Sequence, residues 1–260
     1  ASAVVSGLSA TTTAARQIAT SNNPAINLQY EAGAAANLTL SNTGATGNIA
    51  NSATTVNNVT SLTVSADDGN DAATRTVTLG SINGGSTLTS LTLNSSPDAN
   101  DVLTTGPINA VNLETLTVVV DEANITQGGG GGDNVTSAGE LKTISLSNLD
   151  KDSSGNITLG TIGTADELTS ITINTLGDSG TGGAQVVVGD ITATRATTGD
   201  AISEYTANIA GAYGTSSVGA IAGSADITAI SITTDANGTS FTQGAISPTN
   251  GSIGDVTINT

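Results

Sequence analysis

One short spacing of apolar residues recurs along most of the chain: apolar, two residues, apolar, one residue, apolar. It reads Val59-x-x-Leu62-x-Val64, Leu88-x-x-Leu91-x-Leu93, Leu113-x-x-Leu116-x-Val118, Leu141-x-x-Ile144-x-Leu146 and Leu168-x-x-Ile171-x-Ile173. It continues as Ile227-x-x-Ile230-x-Ile232 and Ile253-x-x-Val256-x-Ile258, and a degenerate copy, Ile202-x-x-Tyr205-x-Ala207, fills the one gap. The copies start 29, 25, 28, 27, 34, 25 and 26 residues apart. A second pattern, an apolar residue, a glycine and an isoleucine two residues later, precedes most copies. It appears as VTLGSI at 77–82, ITLGTI at 157–162, VVVGDI at 186–191 and FTQGAI at 241–246, with VLTTGPI at 102–108 and VGAI at 218–221 as variants.

A period of two within each short run places alternate side chains inward, as in a strand. A unit of about 27 residues is too short to bury its own apolar face, so neighbouring units must bury it by stacking. The spacing therefore predicts an all-β chain: a parallel β-solenoid of about eight coils, a rod on the order of 40 Å long at the usual strand separation. A right-handed coil is the default. An antiparallel β-sandwich is the alternative, but the near-constant step and the equivalence of positions favour the solenoid. Residues 36–260 read as the repeat domain. Residues 1–35 fit the repeat poorly and read as an N-terminal cap, a linker or an assembly segment. Ile26-x-Leu28 and Leu38-x-Leu40 are candidates for a worn first coil, and 14–20 for a short helix.

The chain has no Cys, His, Met or Trp, and only three Tyr and one Phe, so its core must be narrow and built from small branched aliphatics. Its 22 acids against five bases give a formal charge of −17. That excludes nucleic acid as a partner, since phosphate binding requires clustered Lys and Arg. No apolar run approaches the ~18 residues of a membrane span, so membrane insertion is not expected. Without His or Cys, Ser–His, Cys–His and zinc–histidine sites are excluded, and the acids recur in turns, which suits a repeated structural role better than a catalytic one. No signal peptide is visible. The start at Ala1 suggests a mature form or a piece of something longer.

The loops that follow the first strand are acidic in most units, though not in the one that starts at Ile202. They hold Asp67, Asp68 and Asp71; Asp98 and Asp101; Asp121 and Glu122; Asp150 and Asp152; Asp178; and Asp235 followed by Asn237. Stacked coils bring equivalent loops to one edge, where like charges repel unless bridged. Ca²⁺, a hard cation that takes Asp, Asn and backbone oxygens in irregular loops, suits that role. Asp150-Lys151-Asp152-Ser153-Ser154-Gly155 has the spacing of an EF-hand-like loop, with Asp150, Asp152 and Ser154 at the first, third and fifth positions and glycine at the sixth. Its twelfth position is Thr161 rather than a bidentate acid. GGGGGDNVT at 128–136, which contains Asp133, fits the nonapeptide of Ca²⁺-binding β-rolls once, without a tandem partner.

The residue between the last two apolar positions faces outward. It is Thr63, Thr92, Thr117, Ser145, Thr172, Thr206, Ser231 and Thr257, always a hydroxyl. Two residues on, the series reads Ser65, Asn94, Val119, Ser147, Asn174, Asn208, Thr233 and Asn259. Such a face serves as a soluble strand surface, a lateral assembly surface or a regular array for binding ice.

The LTSLTL and VTLGSI units resemble the strand repeats of bacterial surface-layer proteins, and the 128–136 nonapeptide is similar to that of RTX secreted proteins. The resemblance covers about residues 36–260. It implies an extracellular, cell-surface location, a structural self-assembling subunit of a surface layer or filament, order that depends on Ca²⁺, and partners that are copies of the same chain and cell-surface polysaccharide. A stalk or passenger repeat of an adhesin, or an ice-binding solenoid, is the alternative.

Overall fold

The computed structural model describes residues 2–8, 16–17, 25–40, 49–51, 54–66, 75–95, 101–121, 124–128, 135–136, 140–149, 155–163, 167–176, 185–193, 202–210, 215–223, 226–234, 240–249 and 251–260, with most side chains from residue 54 onward. Every strand pair in it is parallel, and no helix occurs among the described residues. The chain is therefore a β-solenoid, and the antiparallel sandwich is ruled out.

Each coil lays down three strands, one per face. The first face carries the LTSLTL motif, as Ser90–Ser95, Thr115–Val120, Thr143–Asn148, Ser170–Leu176, Glu204–Ala210, Ile227–Thr234 and Ile253–Asn259. The second face is an eight-stranded ladder that runs from Ile49–Asn51 to Ser240–Gln243. The third face is built from shorter strands such as Ile82–Gly85, Ile108–Ala110, Ile162–Gly163 and Ile221–Ala222. Between Leu88 and Ile227 the chain makes five successive turns, with steps of 25, 28, 27, 34 and 25 residues, whose core side chains are described on every face.

Register follows the sequence motif. Leu62, Leu91, Leu116, Ile144, Ile171, Tyr205, Ile230 and Val256 stand in one column of directly paired residues. The isoleucine of the second pattern forms another column on the third face, through Ile82, Ile108, Val135, Ile162, Ile191, Ile221 and Ile246. These columns face one narrow core, and from Val56 to Ile221 its residues are at most 4 % exposed. A one-residue slip would turn a whole column outward, so burial fixes the register. The edge strand Ile253–Asn259 continues the first face, with Ile253, Val256 and Ile258 exposed in columns that are buried elsewhere.

The coil count differs slightly from the eight motif copies. The strand Ala25–Leu40 pairs along 34–40 with Thr54–Ala66 and adds one more strand to the first face. Its earlier part, which contains Ile26 and Leu28, pairs with Ser2–Leu8 on the third face. The short helix expected over 14–20 is corrected at its centre: Arg16–Gln17 is a strand paired with Leu38 and Thr39. A backbone ladder already in place offers these residues hydrogen bonds, and this overrides a weak helical preference.

The corner between the second and third faces is made by stacked glycines. The N–H of Gly106 donates to the Leu79 carbonyl (2.8 Å), Gly128 to Thr105 (2.8 Å), Gly160 to Gln127 (3.0 Å), Gly189 to Leu159 (3.0 Å), Gly219 to Val188 (2.9 Å) and Gly244 to Val218 (2.8 Å). At this corner successive backbones approach too closely for a side chain. A Cβ on Gly106 would lie 1.5 Å from the Gly80 carbonyl oxygen, and one on Gly244 would lie 2.6 Å from the Gly219 carbonyl carbon.

The degenerate coil keeps its volume by compensation. Tyr205 fills the space of an aliphatic residue, while Ala207 beside it and Ser216 on the second face are both small and buried. The Tyr205 hydroxyl donates to Gln243 Oε1 in the next coil, and Gln243 Nε2 donates to the Gly219 carbonyl (3.0 Å).

Not every inward hydroxyl is satisfied. Thr105 occupies an inward position held by Leu79 and Leu159 in other coils, and its Oγ1 is buried without a hydrogen-bond partner. Replacing it by valine keeps the shape and removes a desolvated hydroxyl. Thr105→Val is expected to stabilise the fold by about 1 kcal/mol, readable as a higher urea midpoint with an unchanged slope. An equal or lower midpoint would show that the hydroxyl is satisfied.

Candidate assembly surface

The first face presents three outward columns. The central one pairs Thr63, Thr92, Thr117, Ser145, Thr172, Thr206, Ser231 and Thr257 directly from coil to coil. One flank runs through Ser61, Ser90, Thr115, Thr143, Ser170 and Glu204. The other runs through Ser65, Asn94, Val119, Ser147, Asn174, Asn208, Thr233 and Asn259. No register shift interrupts this face from Ser61 to Asn259. In the second flank Asn208 Nδ2 donates to Asn174 Oδ1 (2.9 Å), a side-chain bond along the stack. The outward hydroxyl column and the Ser, Asn and Thr series beside it stand in the register the sequence predicts.

The second face carries a column that the sequence reading did not single out: Thr78, Thr104, Thr126, Thr158, Val187, Ser217 and Thr242. Its signal was the residue between the two apolar positions of VTLG and ITLG. At the start of these strands Asn side chains cap the coil above. Asn156 N–H donates to Asn124 Oδ1 (2.9 Å), and Gln185 N–H donates to Asn156 Oδ1 (3.1 Å).

Charge is concentrated at the corners. Lys142 bridges three coils there, with its Nζ 3.2 Å from Glu114 and 3.6 Å from Glu167. The hydrogen bond that Lys142 donates to Glu114 holds this ammonium above its usual pKa. All three side chains are solvated, so the pairs contribute little to stability. Asp190 Oδ1 accepts from the Ala220 N–H (2.7 Å), and Asp226 Oδ1 accepts from both the N–H (2.8 Å) and the hydroxyl (3.0 Å) of Ser252. The bond from the Ser252 N–H, helped by its hydroxyl, lowers the Asp226 pKa.

Most of the candidate Ca²⁺ ligands lie outside the described residues: Asp67, Asp68, Asp71, Asp98, Asp133, Asp150, Asp152, Ser154, Asp178, Asp235 and Asn237. Two are placed. Asp121 is exposed at the corner, where its N–H donates to Ser95 Oγ (2.9 Å). Asp101 is not a loop residue but the first residue of the strand Asp101–Thr105, paired with Arg75. Among the described residues no group of three acids is gathered that could hold a metal. The strand ends flanking the acidic segments do stand in register. On the first face Asn148 pairs with Thr175, and on the second Asn156 pairs with Gln185.

The EF-hand-like segment is closed at its base by a bond between buried Asn148 and its own coil: Asn148 Nδ2 donates to the Gly155 carbonyl (2.7 Å). The equivalent inward position holds Ser95 and Thr175, whose hydroxyls bond the Asp121 and Ala210 backbones. The two ends of the nonapeptide at 128–136 take ordinary solenoid positions, and residues 129–134 lie outside the described residues. Gly128 belongs to the glycine corner, and Val135–Thr136 is a third-face strand between Ile108–Ala110 and Ile162–Gly163.

No protein-family model, curated protein or solved structure matches this chain. The fold class it defines is a three-faced parallel β-solenoid.

Proposed function

We propose that this chain is a structural, self-assembling subunit of an extracellular surface layer or filament, ordered by Ca²⁺, with copies of itself as its main partners. The observation that carries the reading is the uninterrupted first face. Its Ser, Thr and Asn columns repeat at one spacing along the rod, on a chain whose formal charge is −17. A surface that repeats along its own axis suits contacts that repeat, as a lattice or filament requires. The acidic turns that follow the first-face strands support a bridging role for a hard divalent cation. The absence of His and Cys from the sequence supports a structural rather than a catalytic role.

The test is addition of Ca²⁺ to the purified chain, followed by light scattering and negative-stain microscopy. Ordered sheets or filaments that dissolve on chelation are expected, together with a higher melting temperature in Ca²⁺, because a ligand that binds only the folded state stabilises it by mass action. A chain that stays monomeric, and equally stable with Ca²⁺ or chelator, would overturn the proposal.

A further inference from the structure

Resting on that reading of self-assembly, we infer that the first face, and not the second, is the lateral interface, and that its occupant is the first face of a second copy. Three observations lead there.

The first is charge. From Ser61 to Asn174 the three outward columns contain no ionisable residue, and over the rest of the face only Glu204 and Asp255 interrupt them. Two copies at −17 each repel, and contact costs least where neither brings a charge to be desolvated.

The second is chemistry. Hydroxyls and carboxamides both donate and accept, so a face built from them is complementary to itself. A carboxylate surface only accepts and lacks that property.

The third is area, which separates the first face from the second. First-face strands of six residues are about 20 Å wide, and nine of them stack to about 43 Å, giving about 860 Å². That reaches the roughly 800 Å² per partner of a standard interface. The second face has strands of four residues in an eight-stranded ladder. It offers only about 500 Å².

The experiment compares the full chain with two doubly substituted variants in sedimentation equilibrium, with and without Ca²⁺. Thr117→Lys with Thr172→Lys puts two ammonium groups in the central column of the first face. Thr126→Lys with Thr158→Lys puts the same charge at outward positions of the second face. Each pair lowers the net negative charge equally, so any general repulsion is relieved equally. Association of the first-face variant is expected to weaken on the order of 100-fold or more, because its charges must be buried unpaired. The second-face variant is expected to associate at least as well as the parent chain.

Equal association by all three chains, or loss in the second-face variant instead, would overturn this inference while leaving self-assembly standing. A parent chain that never associates would overturn both. Thermal melting checks that each variant is folded, and Ser145→Lys alone gives the same comparison should the double first-face variant not fold.

Discussion

Gly106→Ala is expected to destabilise the solenoid by about 3 kcal/mol or more, although it adds a single methyl group. The added carbon would lie 1.5 Å from the Gly80 carbonyl oxygen, a backbone atom that no rotamer change can move aside. Relief requires separating two coils at the corner, which strains the Gly106 N–H bond to the Leu79 carbonyl and the strand pairs on either side. Gly163→Ala is the matched control. Nothing lies within 4 Å of the carbon it would add. It is expected to be neutral or to stabilise by up to about 1 kcal/mol through loss of unfolded-state entropy. Urea unfolding of the two variants side by side measures the difference. Equal midpoints would refute the steric account of the corner.

Tyr205→Ala is expected to cost about 3–5 kcal/mol. Among the described residues Tyr205 is the largest fully buried side chain, at 1 % exposure, and Ala207, two residues along the same strand, is too small to close the cavity. Tyr205→Phe isolates the polar part of that loss. It keeps the ring but leaves Gln243 Oε1 without the hydroxyl that donates to it, at a cost of about 1–2 kcal/mol.

The same hydroxyl predicts an alkaline limit. Burial raises the Tyr205 pKa above its usual value of 10.0. Above that pH the unfolded chain releases the proton while the folded chain retains it, so stability falls with rising pH. Stability is constant below about pH 10 on this account, and the decline is expected to be shallower in Tyr205→Phe. The pH dependence of the urea midpoint in both proteins decides the matter. Identical slopes would assign the decline to other groups.

The core was largely legible because its motif is periodic in both senses. Leu91 and Leu93 alternate along a strand, and Leu62, Leu91 and Leu116 recur from coil to coil. The hydroxyl columns followed from the same alternation. What escaped notice did so for identifiable physical reasons. Ser95, Thr105, Gln127, Asn148 and Thr175 are buried, yet their polarity reads as outward; backbone carbonyls and N–H groups at the corners satisfy most of them. Val135 was hidden because residues 129–134 separate it from Gly128, breaking the apolar–glycine–isoleucine spacing. Arg16–Gln17 carries no apolar alternation; its backbone pairing with Leu38 and Thr39 is what marks it as a strand. At the acidic turns the strand ends that set their spacing are visible, but the spacing of ligand atoms depends on loop conformation, which repeat periodicity does not encode.

The glycine corner has a consequence for how such a chain folds and tolerates change. Among the described residues, the strand pairing joins each coil to the coil before it and the coil after it. Folding can therefore propagate as a front, each finished coil acting as the template on which the next is laid. Extra residues at a corner lengthen one step without shifting the front; in the 34-residue turn from Leu168 to Ile202 most of them fall between Ile191 and Glu204, at the corner between the third and first faces. A side chain at the glycine corner would instead halt the front at that coil, leaving the coils behind it folded and those ahead without a template.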